Sequence, residues 1–241
     1  MQVAPGIHRF NTGDFNWYVV EAEGRLTVVD GGWPGHYGVL MRGLGELDKT
    51  IDDIDAVILT HAHADHTGFV ERLRVAAGVE VWVHEADHAM VQKRGQLPWF
   101  ALLSNAWRRQ TFSMLFHGAR QGVFLLPRVK AARSFADGQT LDVPGRPTVI
   151  HTPGHTPGEV CFHFPDRQAL ICGDTLITLN LLTGEAGPPQ LTFDALNQDA
   201  EVSRRSLGRL DDEFRDADEV TLLTGHGPPW TGDLSAALAS I

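Results

Sequence analysis

Between positions 61 and 66 the chain reads His61-Ala-His63-Ala-Asp65-His66, three imidazoles and one carboxylate within six residues. Imidazole and carboxylate donors without a thiolate suit zinc, iron or manganese. On an extended segment His61 and His63 place both rings on one side, and Asp65 and His66 follow where the chain must bend. The pattern is a strand-end cradle, unlike the helical H-E-x-x-H arrangement with ligands four apart. Further candidates lie downstream. In His151-Thr-Pro-Gly-His155-Thr-Pro-Gly158 the prolines fix a bend and the glycines permit it. His155, between two Pro-Gly steps, is the expected ligand there, and His151, at a strand end, an outer supporting residue. Asp174 ends a strand in Gly173-Asp174-Thr175, and His226 sits in the tight loop Gly225-His226-Gly227. Asp30, in Val-Val-Asp-Gly-Gly, reads either as a turn residue or as an acceptor that fixes the tautomer of a ligand histidine.

Each candidate follows an apolar run that reads as a buried strand. Strands are expected at 2–10, 17–21 and 26–29, then at 56–59, 79–83, 140–143, 148–150, 160–164, 169–172 and 220–223. Helices are expected at 36–48, at 67–77 with Gly78 as its stop, and at about 195–210. The 67–77 helix would point its free N–H groups toward the metal region. If Phe164 pairs with Ala169 across Pro165–Gln168, Cys161 falls opposite Cys172. The bland reading of that pair is two reduced, buried thiols, and neither has metal-ligand spacing. Most of the 12 histidines outside the motifs, His84, His88, His117 and His163 among them, read as solvent-facing or hydrogen-bonded structural residues.

Length and composition, 241 residues with 43% hydrophobic and 21% charged, are those of an ordinary globular protein. The formal charge of −10 argues against nucleic acid as a partner. Nothing at the amino end resembles a signal peptide and no apolar run reaches spanning length, so a cytoplasmic location is expected.

Residues 88–136 differ from the rest: they hold no Asp or Glu and eight Lys or Arg, including Arg94, Arg108 and Arg109. The remainder carries 30 acids against 20 − 8 = 12 bases, a balance of −18. The segment is also rich in Trp, Phe and Leu, more than one helix face buries. It reads as a helical insertion at 86–133. It is either a layer or subunit contact, which would make a homodimer, or a lid receiving an apolar, anionic small-molecule substrate. Membrane contact is the weakest of the three readings and is not expected.

Together these motifs resemble the metallo-β-lactamase superfamily over nearly the whole chain. The resemblance rests on the strand-end Asp30, His61-x-His63-x-Asp65-His66, His155 in Pro-Gly-His-Thr-Pro-Gly, Asp174 after Cys-Gly, and His226 in Gly-His-Gly. It implies an α/β fold, a four-layer αβ/βα sandwich of one domain, 1–241, with a helical insertion. It also implies two metal ions at one edge, zinc first and iron or manganese as alternatives. Carried over by position, His61, His63 and His155 hold one ion, Asp65, His66 and His226 the second, and Asp174 bridges both. The implied activity is hydrolysis of an ester, thioester or lactone by a metal-bridging hydroxide, with Asp65 and Asp174 as the catalytic carboxylates.

The bridging Asp174 departs from true β-lactamases of this fold. Fifteen residues after His226 leave no room for the glutathione-binding helices of glyoxalase II. The only tyrosines, Tyr18 and Tyr37, do not follow the bridging aspartate as in acyl-homoserine lactonases, and the basic arm of the tRNA-processing nucleases is missing. A mononuclear iron persulfide dioxygenase and a non-catalytic binding or assembly member of the superfamily are the alternatives.

Overall fold

A computed structural model describes residues 1–93, 97, 99–217 and 219–241; Arg94 lies outside the described residues. Its first sheet runs in sequence order through β1 (Gln2–Ala4), β2 (Ile7–Thr12), β3 (Phe15–Ala22), β4 (Arg25–Val29), β5 (Ile54–Ile58), β6 (Glu80–His84) and β7 (Arg133–Phe135). Pairing is antiparallel up to β4 and parallel from β4 to β7. A second sheet is built from β8 (Thr148–His151), β9 (Val160–Phe164), β10 (Ala169–Gly173), β13 (Val220–Thr224) and β14 (Trp230–Gly232) in the order β14-β13-β10-β9-β8. Between β10 and β13, β11 (Ile177–Leu179) and β12 (Ala186–Gln190) form a small separate ribbon.

Strand alternation generates the layers. In β3 to β5, Trp17, Val19, Val28 and Val57 face outward onto α1 (Tyr37–Glu46) and α3 (Val70–Ala77), through Leu40, Leu44 and Leu73. Their neighbours Tyr18, Val20, Val29 and Ile58 face inward and meet Val149, Phe162, Ile171 and Leu223 of the second sheet. On its far side that sheet presents Ile150, Leu170 and Leu222 to Leu210 and Phe214 of α7 (Ala200–Phe214) and to Leu234 and Leu238 of α8 (Leu234–Leu238). The order helix, sheet, sheet, helix is the expected αβ/βα sandwich. Each such side chain removed from water stabilises it by about 1.5–3 kcal/mol.

The ends of elements differ from expectation where backbone geometry intervenes. The strand expected at 2–10 turns back at Pro5-Gly6, with Gly6 at φ +61°, and becomes the β1–β2 hairpin. Residues 140–143 form no strand; only Thr140 bridges to Thr148. The helix expected at 67–77 is two pieces, α2 (Ala64–Thr67) and α3. Between them Gly31 N donates to His66 O at 2.6 Å and Phe69 N donates to Gly31 O at 3.1 Å, so the β4 end takes hydrogen bonds that a continuous helix would keep internal. A Cβ at Gly31 would lie 2.5 Å from Val70 Cγ2, which is what the close approach at this glycine serves. The third helix starts at Ala200, capped by the Asp199 carboxylate, rather than near 195.

The cysteine hairpin has the expected register, Ala169 opposite Phe164. Both thiols are free and buried, and burial pushes Cys161 up to about 12. Between β6 and β7 stand α4 (His88–Val91), α5 (Trp99–Ser104) and α6 (Arg109–Arg120), whereas Arg133 already belongs to β7. Among the described residues no helix is long and apolar enough to cross a membrane.

Candidate metal centre

The seven side chains singled out in the sequence converge at one edge of the sandwich. His61 and His63 leave the β5 end, Asp65 and His66 belong to α2, and His155 lies in the β8–β9 loop. Asp174 follows β10 and His226 follows β13. Their donor atoms form three interlocked groups, His61–His63–His155, His61–His66–Asp174 and Asp65–His66–His226, with the atoms of each group within 4.8 Å of one another. Asp174 is central: its Oδ1 is 3.5 Å from His66 Nε2, and its Oδ2 is 3.5 Å from His155 Nε2 and 3.2 Å from His226 Nε2. Asp65 Oδ2 is 3.6 Å from His226 Nε2. A Cβ at Gly225 would fall 2.2 Å from Asp174 Oδ1 and 2.6 Å from His66 Cε1, so glycine is needed for the His226 loop to come this close.

These residues fit metal ions by three independent tests. Nitrogen and oxygen ligands about 2.0–2.1 Å from a tetrahedral ion stand roughly 3.4 Å apart, and the separations above, with His63 Nδ1 to His155 Nε2 at 2.8 Å, bracket that value. His61 Nε2, His66 Nε2 and Asp174 Oδ1 are buried and lack any hydrogen-bond partner among the described residues, an expensive arrangement unless something else occupies them. Burial, with the neighbouring imidazoles adding to it, holds His61 and His63 well below the ordinary histidine value, which keeps their lone pairs free. Burial opposes a proton on His66 too, yet Asp174, Asp30 and Asp65 together raise it well above that value, so a positive charge is favoured at this spot.

Behind the donors, other groups fix the rings. Asp30 adopts φ +64°, a conformation costly for a non-glycine residue, and thereby brings both carboxylate oxygens under the site. Its Oδ1 accepts from Thr60 N at 2.8 Å, and its Oδ2 accepts from Thr60 Oγ1 at 2.8 Å and from His66 Nδ1 at 3.0 Å. Thr60 Oγ1 in turn lies 3.1 Å from His61 Nδ1. With the Nδ1 atoms protonated, both histidines deliver Nε2 to the centre. His155 Nδ1 is 3.1 Å from Asn197 Oδ1, and His226 Nδ1 donates to Asp14 O at 2.7 Å.

Three of these supports were not legible in the sequence. Glu159 is fully buried, with Oε1 accepting from Asp174 N at 2.9 Å and Oε2 lying 3.2 Å from His61 Nδ1. Asp87, between His84 and His88, is also fully buried and accepts from Ala62 N, Thr156 Oγ1 and Gly158 N at 2.7–2.9 Å, tying the His61–His63 loop to the His155 loop. Asn197 had no distinguishing neighbours. The only available hint for Glu159 was an acid at the start of an otherwise apolar strand. His151 touches none of the donors: its Nε2 bonds Pro157 O at 2.9 Å and its ring stacks on His84.

Above the donors lies a cavity of about 510 Å³. His63, Asp65, His155, Asp174 and His226 form its floor, and α5, α6 and the chain beyond them supply walls such as Trp99, Leu102, Met114 and Val123. Among the described residues no Lys or Arg lines it, so the reading of Arg108 and Arg109 as a cationic lid has no counterpart among them. Arg108 instead stacks over Trp107 at 4.7 Å.

A sequence profile of the metallo-beta-lactamase superfamily matches residues 12–226. The chain is similar to the probable metallo-hydrolase YflN of Bacillus subtilis, 27% identical over 96% of this chain and 87% of that protein. It is 29% identical to the acyl-coenzyme A thioesterase MBLAC2 of Gallus gallus over 49% of this chain and 40% of that one. Among solved structures, TTHA1623 in a di-iron-bound form superposes with a TM-score of 0.64 at 26% identity, covering 95% of this chain and 96% of the other. With the profile spanning the whole stretch from β2 to His226, and the donor constellation where the sandwich edge brings it, the chain belongs to the metallo-beta-lactamase superfamily.

Proposed function

We propose that this protein is a dinuclear metal hydrolase, zinc-dependent, that cleaves an ester, thioester or lactone bond next to an apolar acyl group. The observation that carries the reading is the position of Asp174 at the floor of an apolar cavity, its carboxylate oxygens 3.2–3.5 Å from His155 on one side and from His66 and His226 on the other. His61, His63 and His155 would hold one ion and Asp65, His66 and His226 the other, with Asp174 contributing to both. Metal ions so held lower the pKa of bound water to near neutrality and polarise a carbonyl oxygen.

The chain's own contribution is positioning and exclusion of water. The cavity walls seat the acyl group, and each methylene so buried is worth about 0.8 kcal/mol. Asp65, at the cavity floor, is placed to hydrogen-bond an attacking water or the leaving group while it ligates. Asp30, Glu159, Asn197 and the Asp14 carbonyl keep the imidazoles aimed, so no reorientation is needed when substrate arrives. The thioesterase among the similar proteins supports thioesters within this substrate range.

The test is protein stripped of metal and reloaded with zinc or with iron, assayed on esters, thioesters, lactones and a β-lactam, with oxygen uptake on a persulfide measured in parallel. Zinc-restored hydrolysis with two ions per chain is expected. One iron per chain with oxygen uptake and no hydrolysis would overturn the proposal in favour of the dioxygenase alternative.

A further inference from the structure

We infer that the outer face of the α5–α6 insertion docks on an anionic lipid surface, with the mouth of the cavity turned toward it. Of the eleven large hydrophobic residues exposed among the described residues, eight lie between Trp99 and Leu125. Phe100, Trp107, Phe124 and Leu125 are each more than 75% exposed, which a face turned only to water does not explain.

Helix α6 shows how this arises. Thr111, Met114 and Gly118 form its buried side. Arg109, Phe112, Phe116 and Arg120 sit at i, i+3, i+7 and i+11, a single stripe on the opposite side. Phe112 and Phe116 stack in the open with centroids 6.4 Å apart, and Arg120 lies over Phe116. The helix is therefore apolar on both sides, with its outer aromatic side ended by arginines. Aromatic rings at the acyl boundary with guanidinium groups at phosphate level is the arrangement of helices that lie in a bilayer interface.

Charge selects the occupant. Residues 88–136 carry eight bases and no acid, against −18 elsewhere, and Lys93, Arg108, Arg109, Arg120, Arg128 and Lys130 form no ion pair among the described residues. An anionic surface attracts this face and repels the others, which orients the molecule. A second copy of the chain docking through the same patch would bring like charges together. Trp99, Leu103 and Phe124 are both exposed and part of the cavity wall, so the docked face is continuous with the cavity. An apolar acyl substrate could then enter from the lipid; this last step alone rests on the proposed hydrolase activity.

The test is co-sedimentation of the metal-loaded protein with vesicles of phosphatidylcholine alone and of phosphatidylcholine with 30% phosphatidylglycerol. Binding to the anionic vesicles only, weakened by 0.5 M salt, is expected. Removing two juxtamembrane cations at about 1 kcal/mol each lowers partitioning about thirtyfold, and that is the loss expected for Arg109→Ala with Arg120→Ala. Phe112→Ser with Phe116→Ser should abolish binding. Hydrolysis of a water-soluble short-chain ester should be unchanged in both variants. Equal binding to neutral vesicles, no binding to anionic ones, or a lipid-independent dimer that the phenylalanine variant dissolves would overturn the inference. Sedimentation requires no turnover, so it reads independently of the hydrolase proposal.

Discussion

Asp30→Asn separates the tautomer-fixing role of Asp30 from a turn residue's. The left-handed backbone at position 30 tolerates Asn as well as Asp, so the fold should form. Asp30 accepts three hydrogen bonds, all from donors: Thr60 N, Thr60 Oγ1 and His66 Nδ1. An amide has one acceptor and one donor end. With its oxygen toward Thr60 N, its NH₂ faces the other two donors; reversed, it faces Thr60 N. At least one buried hydrogen bond to a charged acceptor is lost, worth about 1.5–3 kcal/mol. For a chain of this size that lowers Tm by about 3–12 °C. Because His66 and, through Thr60, His61 are held by this carboxylate, zinc should bind about 10–100-fold more weakly. A chelator-dye competition titration reads the affinity, and excess zinc should restore most hydrolysis. Zinc affinity within threefold of the unsubstituted protein, at a lowered Tm, would refute the positioning role while leaving a structural one.

Further expectations can be checked together. Asp174→Ala removes the donor shared by both sets and should lower hydrolysis more than a hundredfold with loss of both ions; full turnover would end the two-metal reading. His155→Ala should release metal, whereas His151→Ala, losing only the Pro157 bond and the His84 stack, should change metal content little, and equal losses would contradict His155 as the ligand of this loop. Met114→Trp fills the cavity by about two to three methylenes at ~0.8 kcal/mol each, so activity on long-chain relative to short-chain esters should drop roughly 10–50-fold. His36, buried and beside His117, is pushed down to about 3. Its folded-state pKa lies below the unfolded one, so its share of stability is full above about pH 6.5 and is lost as pH falls toward 3. The His36 ring should remain neutral by NMR at pH 5, and a midpoint near 6.5 would contradict its burial.

The donor constellation was legible because chemistry was concentrated against type: three histidines in six residues cannot serve packing, and Pro-Gly bends and glycine loops advertise fixed side chains. The layers were legible from alternation, as at Val28–Val29 and Val57–Ile58, where neighbours enter different cores. What escaped was whatever depends on long-range approach. Glu159 reaches Asp174 and His61, and Asp87 joins two loops more than ninety residues apart, yet Glu159 is a lone acid in its local sequence and Asp87 sits in an undistinguished His-Glu-Ala-Asp-His run. The break between α2 and α3 had the same cause, since the hydrogen bonds that divide the helix come from Gly31. Arg108 and Arg109 pointed the other way: their sequence proximity to apolar residues suggested a cationic lid, but the helices turn their small and apolar faces to the cavity and their arginines outward.

Diffraction at the zinc absorption edge from crystals grown with zinc tests the dinuclear centre most directly. Two anomalous peaks are expected, one among His61, His63 and His155 and one among Asp65, His66 and His226, with Asp174 reaching both. A single peak, or peaks lying away from Asp174, would contradict it.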